Sequence, residues 1–90
     1  MAFQIGVTPE FRRDYKKLNV ELKERLKQKG KILAENPFHP LLRTHKLTGK
    51  LFGVWSFSVD MRIRVLFEFI GDEKILFHRV GDHSVYRPRR

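Results

Sequence analysis

The sequence predicts an α+β fold, two N-terminal helices packed on an antiparallel β-sheet in the order β-α-α-β-β-β. Three observations carry this. Apolar residues recur at helical spacing from Phe11 to Leu33, and they alternate with polar residues, at the period of a strand, from Leu51 to Val80. Between these halves lies ENPFHPLLRTHKLTGK, residues 35–50, with two prolines, a glycine and no sustained period.

FQIGV, residues 3–7, alternates Phe3, Ile5 and Val7 and reads as a half-buried strand added to the sheet. TPEF then starts a helix: Thr8 can cap it, Pro9 suits its first position and Glu10 complements the positive end of its dipole. Phe11, Tyr15 and Leu18 continue that helix, Asn19 ends it or caps the next, and Leu22, Leu26 and Leu33 form the stripe of the second. Gly30 interrupts this stripe, at a cost of about 1 kcal/mol relative to Ala, and predicts a kink or close packing. Residues 35–50 read as a crossing loop long enough to bind something. LFGVWSFSV, MRIRVLFEFI and ILFHRV form a three-stranded antiparallel meander, with Asp60 and GDEK at the turns.

Alternation sorts the sheet's faces. Trp55, Phe57 and Val59, with Met61, Ile63, Val65, Phe67 and Phe69, suit the helices, which are expected to bring Phe11, Leu18, Leu22, Leu26 and Leu33 to them. Ser56, Ser58, Arg62 and Arg64 fall on the opposite face, which is expected to be wet and basic.

Size and composition narrow the function. Residues 1–90 suffice for one domain. Lys and Arg number 19 against 10 Asp and Glu, a net charge of +9, and the basic residues are spread along the chain, which favours a nucleic acid over a membrane. An acidic protein partner satisfies the same charge. There is no cysteine, and His39, His45, His78 and His83 lack metal-ligand spacing, so neither a metal nor another cofactor is expected, and no small-molecule ligand. No signal-like or membrane-spanning run is visible, and a cytoplasmic location is the expectation.

HKLTGKLFGVWSFSVDMRIRVLFEF followed by VGDHSVY resembles the RelE/ParE superfamily of bacterial toxins, and within it the YafQ-like branch that uses histidines. The resemblance implies a RelE-like fold and the toxin of a type II toxin–antitoxin system, a ribosome-dependent endoribonuclease that cuts messenger RNA and is silenced by a cognate antitoxin. On this resemblance His83 is the catalytic histidine, His45 a second one from the loop before the sheet, and Arg62 the arginine near the scissile phosphate. Tyr86 matches the terminal aromatic that stacks on or orients the substrate. Ser58 stands where YafQ-like toxins hold a further histidine, and Asp60 is the nearest acidic residue; with Arg64 these complete the expected substrate-binding set.

The chemistry also follows from the residue types. Metal-free RNA cleavage requires a base for the ribose 2′-OH, cations for the charge on the phosphorane and an acid for the 5′-oxygen, and leaves a 2′,3′-cyclic phosphate. Histidine serves as either acid or base, and arginine matches phosphate oxygens. His39 in PFHP and His78 in an apolar strand are better explained by packing. Arg87, Arg89 and Arg90 are expected at most to contact phosphate nonspecifically. An acidic, amphipathic antitoxin segment and ribosomal RNA around the message are the implied macromolecular partners. Two other readings stand: a ParE-type gyrase inhibitor, and an RNA-binding module without activity, neither of which needs a proton-transfer residue.

Overall fold

Thr8 makes the first junction of the chain. Its hydroxyl accepts from the Phe11 N–H, capping helix α1 (Pro9–Lys16), and donates to the carbonyl of His78, 70 positions away, at 2.9 Å. The strand before it, β1 (Gln4–Val7), is thereby fixed beside the last strand, β5 (Lys74–Gly81). Asn19 caps helix α2 (Val20–Glu35) through the Leu22 N–H. The computed structural model describes residues 2–51 and 53–86; Arg87, Arg89 and Arg90 lie outside them.

The sheet has five strands in the order β1-β5-β4-β3-β2, with β2 (His45–Lys46), β3 (Trp55–Ser58) and β4 (Arg64–Ile70). Neighbouring strands from β2 to β5 pair antiparallel, but β1 runs parallel to β5, so the sheet is mixed and not purely antiparallel as the sequence predicts. The reason is topological: β1 pairs with the strand farthest along the chain, and everything between forms the crossover that a parallel pair requires. The segment 35–50 is also more ordered than a loop. It contains a 3-10 turn over Pro40–Leu42 and the two-residue strand β2, which pairs His45 with Ser56.

One core joins the layers. Phe11, Leu26 and Leu33 meet Phe57, Val65, Phe67, Ile75, Phe77 and Val80, with Leu18, Leu22, Trp55 and Ile63 packed around them, as the alternation predicts. Phe57 lies 5.8 Å from Phe67 and 5.5 Å from Phe77, ring centre to ring centre, and Phe77 lies 5.3 Å from Phe11. Burying each such ring contributes about 1.5–3 kcal/mol, so a few of them outweigh the cost of Gly30 in α2. A Cβ added at Gly30 would meet nothing within 4 Å, so close packing does not explain that glycine.

Two departures from strict alternation matter for function. The register between β4 and β5 shifts by one residue at Leu66 and Phe67, with Leu66 opposite Arg79 and Phe67 opposite Phe77. This bulge lets Phe77 and Val80, three apart, both reach the core and keeps Arg79 out of it. Arg79 turns instead to helix α1, where the Asp14 carboxylate accepts from its Nε at 2.6 Å and also from the Val80 N–H at 3.0 Å. Second, β4 starts at Arg64, not Met61. Met61 is 93% exposed rather than in the core, because residues 59–63 form a turn on the Asp60 side chain.

Candidate active site

The sheet face that carries Ser56, Ser58 and Arg64 is not the open, wet surface expected. Ser56 is fully buried and Ser58 is 6% exposed. The cover is the C-terminal 3-10 turn His83–Tyr86, which folds back with Val85 buried; a Cβ built on Gly81 would stand 2.8 Å from Val85 Cγ1. The glycine of GDHSVY therefore permits the close approach that brings His83 and Tyr86 onto the face.

Two turns shape the site, and each is held by an aspartate. Asp60 Oδ1 accepts from the N–H groups of Arg62 at 2.8 Å and Ile63 at 2.7 Å, which projects Met61 and Arg62 outward. Burial raises the pKa of this carboxyl, but the two N–H groups and the charges of Arg25 and Arg62 outweigh it and hold the pKa below its ordinary value. Asp82 Oδ1 accepts from the Ser84 N–H at 3.0 Å. Its pKa is also lowered, by Ser84 first and then by the nearby Arg62 and His83.

Arg62, Arg64, Asp82, His83, Ser84 and Met61 line one open depression of about 520 Å³. Arg64 leans on Ser58, whose hydroxyl accepts from its Nη1. The ring of Tyr86 stands edge-on to that of His83, with centres 5.1 Å apart and planes at 79°. Tyr86 turns its hydroxyl the other way, 3.5 Å from Ser56 Oγ.

His45 does not line the depression. Its Nδ1 lies 3.2 Å from the carbonyl oxygen of Arg43 and its Nε2 lies 3.4 Å from Ser56 Oγ. A carbonyl only accepts, so Nδ1 carries the proton in the neutral ring and Nε2 accepts from Ser56. Ser56 Oγ is then left to accept from Tyr86. The hydrogen-bonded order is Tyr86, Ser56, His45, and it connects the second histidine to the first through one aromatic ring.

This fold of five strands and two helices is similar to that of solved structures. The YoeB/ParE toxin from Agrobacterium tumefaciens superposes with a TM-score of 0.79 at 18% identity, over 90% of this chain and 99% of that one. YafQ from E. coli superposes with a TM-score of 0.78 at 20% identity, over 96% and 99%. The toxin–antitoxin complex RelBE2 from Mycobacterium tuberculosis gives 0.78 at 19%, over 92% and 100%. The fold is that of the RelE/ParE toxins. No protein-family model and no curated protein sequence matches the chain significantly.

Within this RelE/ParE fold the predicted residues divide into three groups. His83, Arg62 and Arg64 share the first depression, with Tyr86 against His83. Ser58 and Asp60 lie on its far side, in a neighbouring depression that also includes Arg64. His45 lines neither depression and is connected to His83 through Ser56 and Tyr86. Arg62 sits in the turn before β4 and not on the strand itself, so it is freer to move toward a ligand than the register-bound Arg64. His39 caps the 3-10 turn at Pro40–Leu42, accepting from the Leu41 N–H at Nδ1, and His78 Nε2 lies 2.6 Å from Glu68 Oε1, so both have structural duties.

Ser56 is the residue that sequence reasoning missed. Its place on the face opposite Phe57 was legible, but the alternation carries no sign that a turn 27 residues later would bury it between His45 and Tyr86.

Proposed function

We propose that the protein is the toxin of a type II toxin–antitoxin pair and cleaves messenger RNA on the ribosome. The observation that carries this reading is the depression where His83 faces Arg62 and Arg64 under the edge of the Tyr86 ring. An exposed histidine beside two arginines is the minimal set for attack of a ribose 2′-OH on its own phosphate. The histidine takes the 2′ proton, the P–O5′ bond breaks as the 2′-oxygen bonds to phosphorus, and the 5′-oxygen takes a proton from water. The arginines stabilise the charge that builds on the nonbridging oxygens. The products are a 2′,3′-cyclic phosphate and a 5′-hydroxyl, with no cofactor in the balance.

His83 is the proton-transfer group at the scissile phosphate in this reading. Tyr86 orients the substrate and His83, and His45 acts through Ser56 to fix the Tyr86 hydroxyl. The net charge of +9 supports a ribosomal location in the cytoplasm and an acidic antitoxin. Solved relatives of this fold include a toxin–antitoxin complex, which supports the second partner.

The test is expression of the wild type and His83→Ala, with primer extension on a ribosome-bound message. Loss of general acid–base catalysis lowers the rate about 10²- to 10⁴-fold. Undiminished cleavage by a folded His83→Ala protein overturns the mechanism. Growth arrest by the wild type without RNA cleavage moves the assignment to gyrase inhibition.

A further inference from the structure

Beyond Arg64 the surface continues into a second depression of about 570 Å³, and its lining is unusually cationic: Arg25, Lys29, Arg43 and Arg64 stand against a single carboxylate, Asp60. That single carboxylate offsets one of the four positive charges. Four cations converge from three parts of the fold. Arg25 and Lys29 sit one helical turn apart on α2, Arg43 follows the Pro40–Leu42 turn, and Arg64 begins β4. Their mutual repulsion is relieved by a polyanion.

A second, independent feature singles out Arg43. It is the one non-glycine residue with positive φ among the described residues, at 51°, a left-handed conformation that a side chain rarely adopts. Nothing about ending a 3-10 turn demands arginine there; glycine or asparagine would relieve the conformation. Strain retained at a charged, exposed residue points to a use for the charge. Lys29 is likewise held in place, with Nζ donating to the Leu41 carbonyl at 3.2 Å and further donors left over.

We infer that this trough is a phosphate-backbone subsite for the single-stranded RNA that passes through the His83 depression, gripping the nucleotides that flank the cut. It rests on the proposed nuclease reading. The two depressions share Arg64 and Met61, so a strand with its scissile phosphate at His83 runs directly over Arg64 into the trough. Met61 and Leu41, 93% and 59% exposed, supply apolar surface for bases without reading their edges. Contacts of this kind give affinity and register but no sequence preference.

Salt dependence measures such contacts directly. A fluorescent ten-nucleotide strand with 2′-deoxy sugars, which cannot be cleaved, is titrated with the full-length protein between 50 and 200 mM salt. Each phosphate contact contributes about 0.7 to the slope of log affinity against log salt, so Arg25→Gln/Lys29→Gln lowers it by about 1.4. The wild type's advantage over the double variant then shrinks about sevenfold across that range. Arg43→Gln removes a further ~0.7. A deoxy-dinucleotide, which fills the His83 depression alone, binds wild type and variants equally, and Lys17→Gln, at the residue that follows α1, leaves the ten-nucleotide titration unchanged.

Equal slopes for wild type and the double variant overturn the subsite. So does an equal loss for the dinucleotide, which would make the effect one of net charge, and so does saturable binding of an acidic peptide in place of the ten-nucleotide strand. Failure of the nuclease reading is seen separately: slopes that fall as stated, in a protein that shows no His83-dependent cleavage, keep the RNA trough and remove the catalysis.

Discussion

Tyr86 holds His83 by its ring edge and Ser56 by its hydroxyl, so a single side chain joins the exposed histidine to the buried serine. Its two contacts are separable by mutation. Tyr86→Phe keeps the ring and loses a hydrogen bond worth about 0.5–1.5 kcal/mol, so the expected fall in kcat is about tenfold or less with KM unchanged. Tyr86→Ala also loses stacking of about 1–3 kcal/mol and raises KM. Ser56→Ala should reproduce Tyr86→Phe, and the double variant should be no worse than either single one. Cleavage of a ribosome-bound message by the wild type and the four variants checks this; additive losses would show that Ser56 and Tyr86 act independently.

Gly81→Ala tests the covering turn. The added methyl stands 2.8 Å from Val85 Cγ1, closer than such atoms approach, so the His83–Tyr86 turn must shift outward. Overpacking of this sort costs about 1–3 kcal/mol. The expected result is a moderate drop in urea midpoint together with a much larger loss of cleavage, because His83 rides on the displaced turn. Gly81→Ala with Val85→Ala should recover activity by making room for the methyl.

Asp14→Asn tests the tie between helix and bulge. Asp14 accepts from Arg79 Nε and Nη2 and from the Val80 N–H, and the side chains are 13% and 28% exposed. The hydrogen bond to Asp14 raises the pKa of Arg79 further above its ordinary value. Hydrogen bonds to charged groups contribute about 1.5–3 kcal/mol net, and partial exposure places this one toward the lower end. Chemical denaturation should show a loss of about 1.5–2 kcal/mol. A loss below 0.5 kcal/mol would mean that the bulge stands without its anchor.

Asp60→Asn isolates a charge, since the amide oxygen can still accept from Arg62 and Ile63. The pKa of Asp60 in the folded protein is below its ordinary value of 3.8. The ionised carboxylate therefore stabilises the fold above that ordinary value, and the contribution is lost as pH falls through the lower, folded-state value. Denaturation at several pH values should show wild type ahead of Asp60→Asn by a constant margin at neutral pH, with the margin closing below about pH 4. A margin that widened toward acid would reverse the assigned direction.

How much of this was legible in the sequence differs between the fold and the site. Both helix caps, the core stripe from Phe11 to Leu33 and the Trp55–Phe57 face all follow from local chemistry, and the structure has them. The parallel pairing of β1 with β5 does not, because nothing local in FQIGV states the direction of its neighbour. Met61 looked like a core residue because it kept step with Ile63 and Val65; the Asp60 turn breaks that step, and only its two N–H contacts reveal it. Ser56 and Ser58 lie on the face that alternation gives them but are buried there, Ser56 beside Tyr86 of a turn remote in sequence and Ser58 beside Arg64. The trough escaped altogether, because Arg25 and Lys29 look like ordinary solvated positions of a charged helix until Arg43 and Arg64 are seen opposite them.

The parallel pairing of β1 with β5 sets when the sheet can close during synthesis. Gln4 pairs with Lys74 and Val7 with Phe77, so the sheet closes only after nearly the whole chain is made. Loops of that length close slowly and with little help from local structure. The helices precede β5 in the chain and can form before it, whereas the His83–Tyr86 turn follows β5 and is placed by it. The depression that gathers His83, Arg62 and Arg64 is thus completed only late in synthesis.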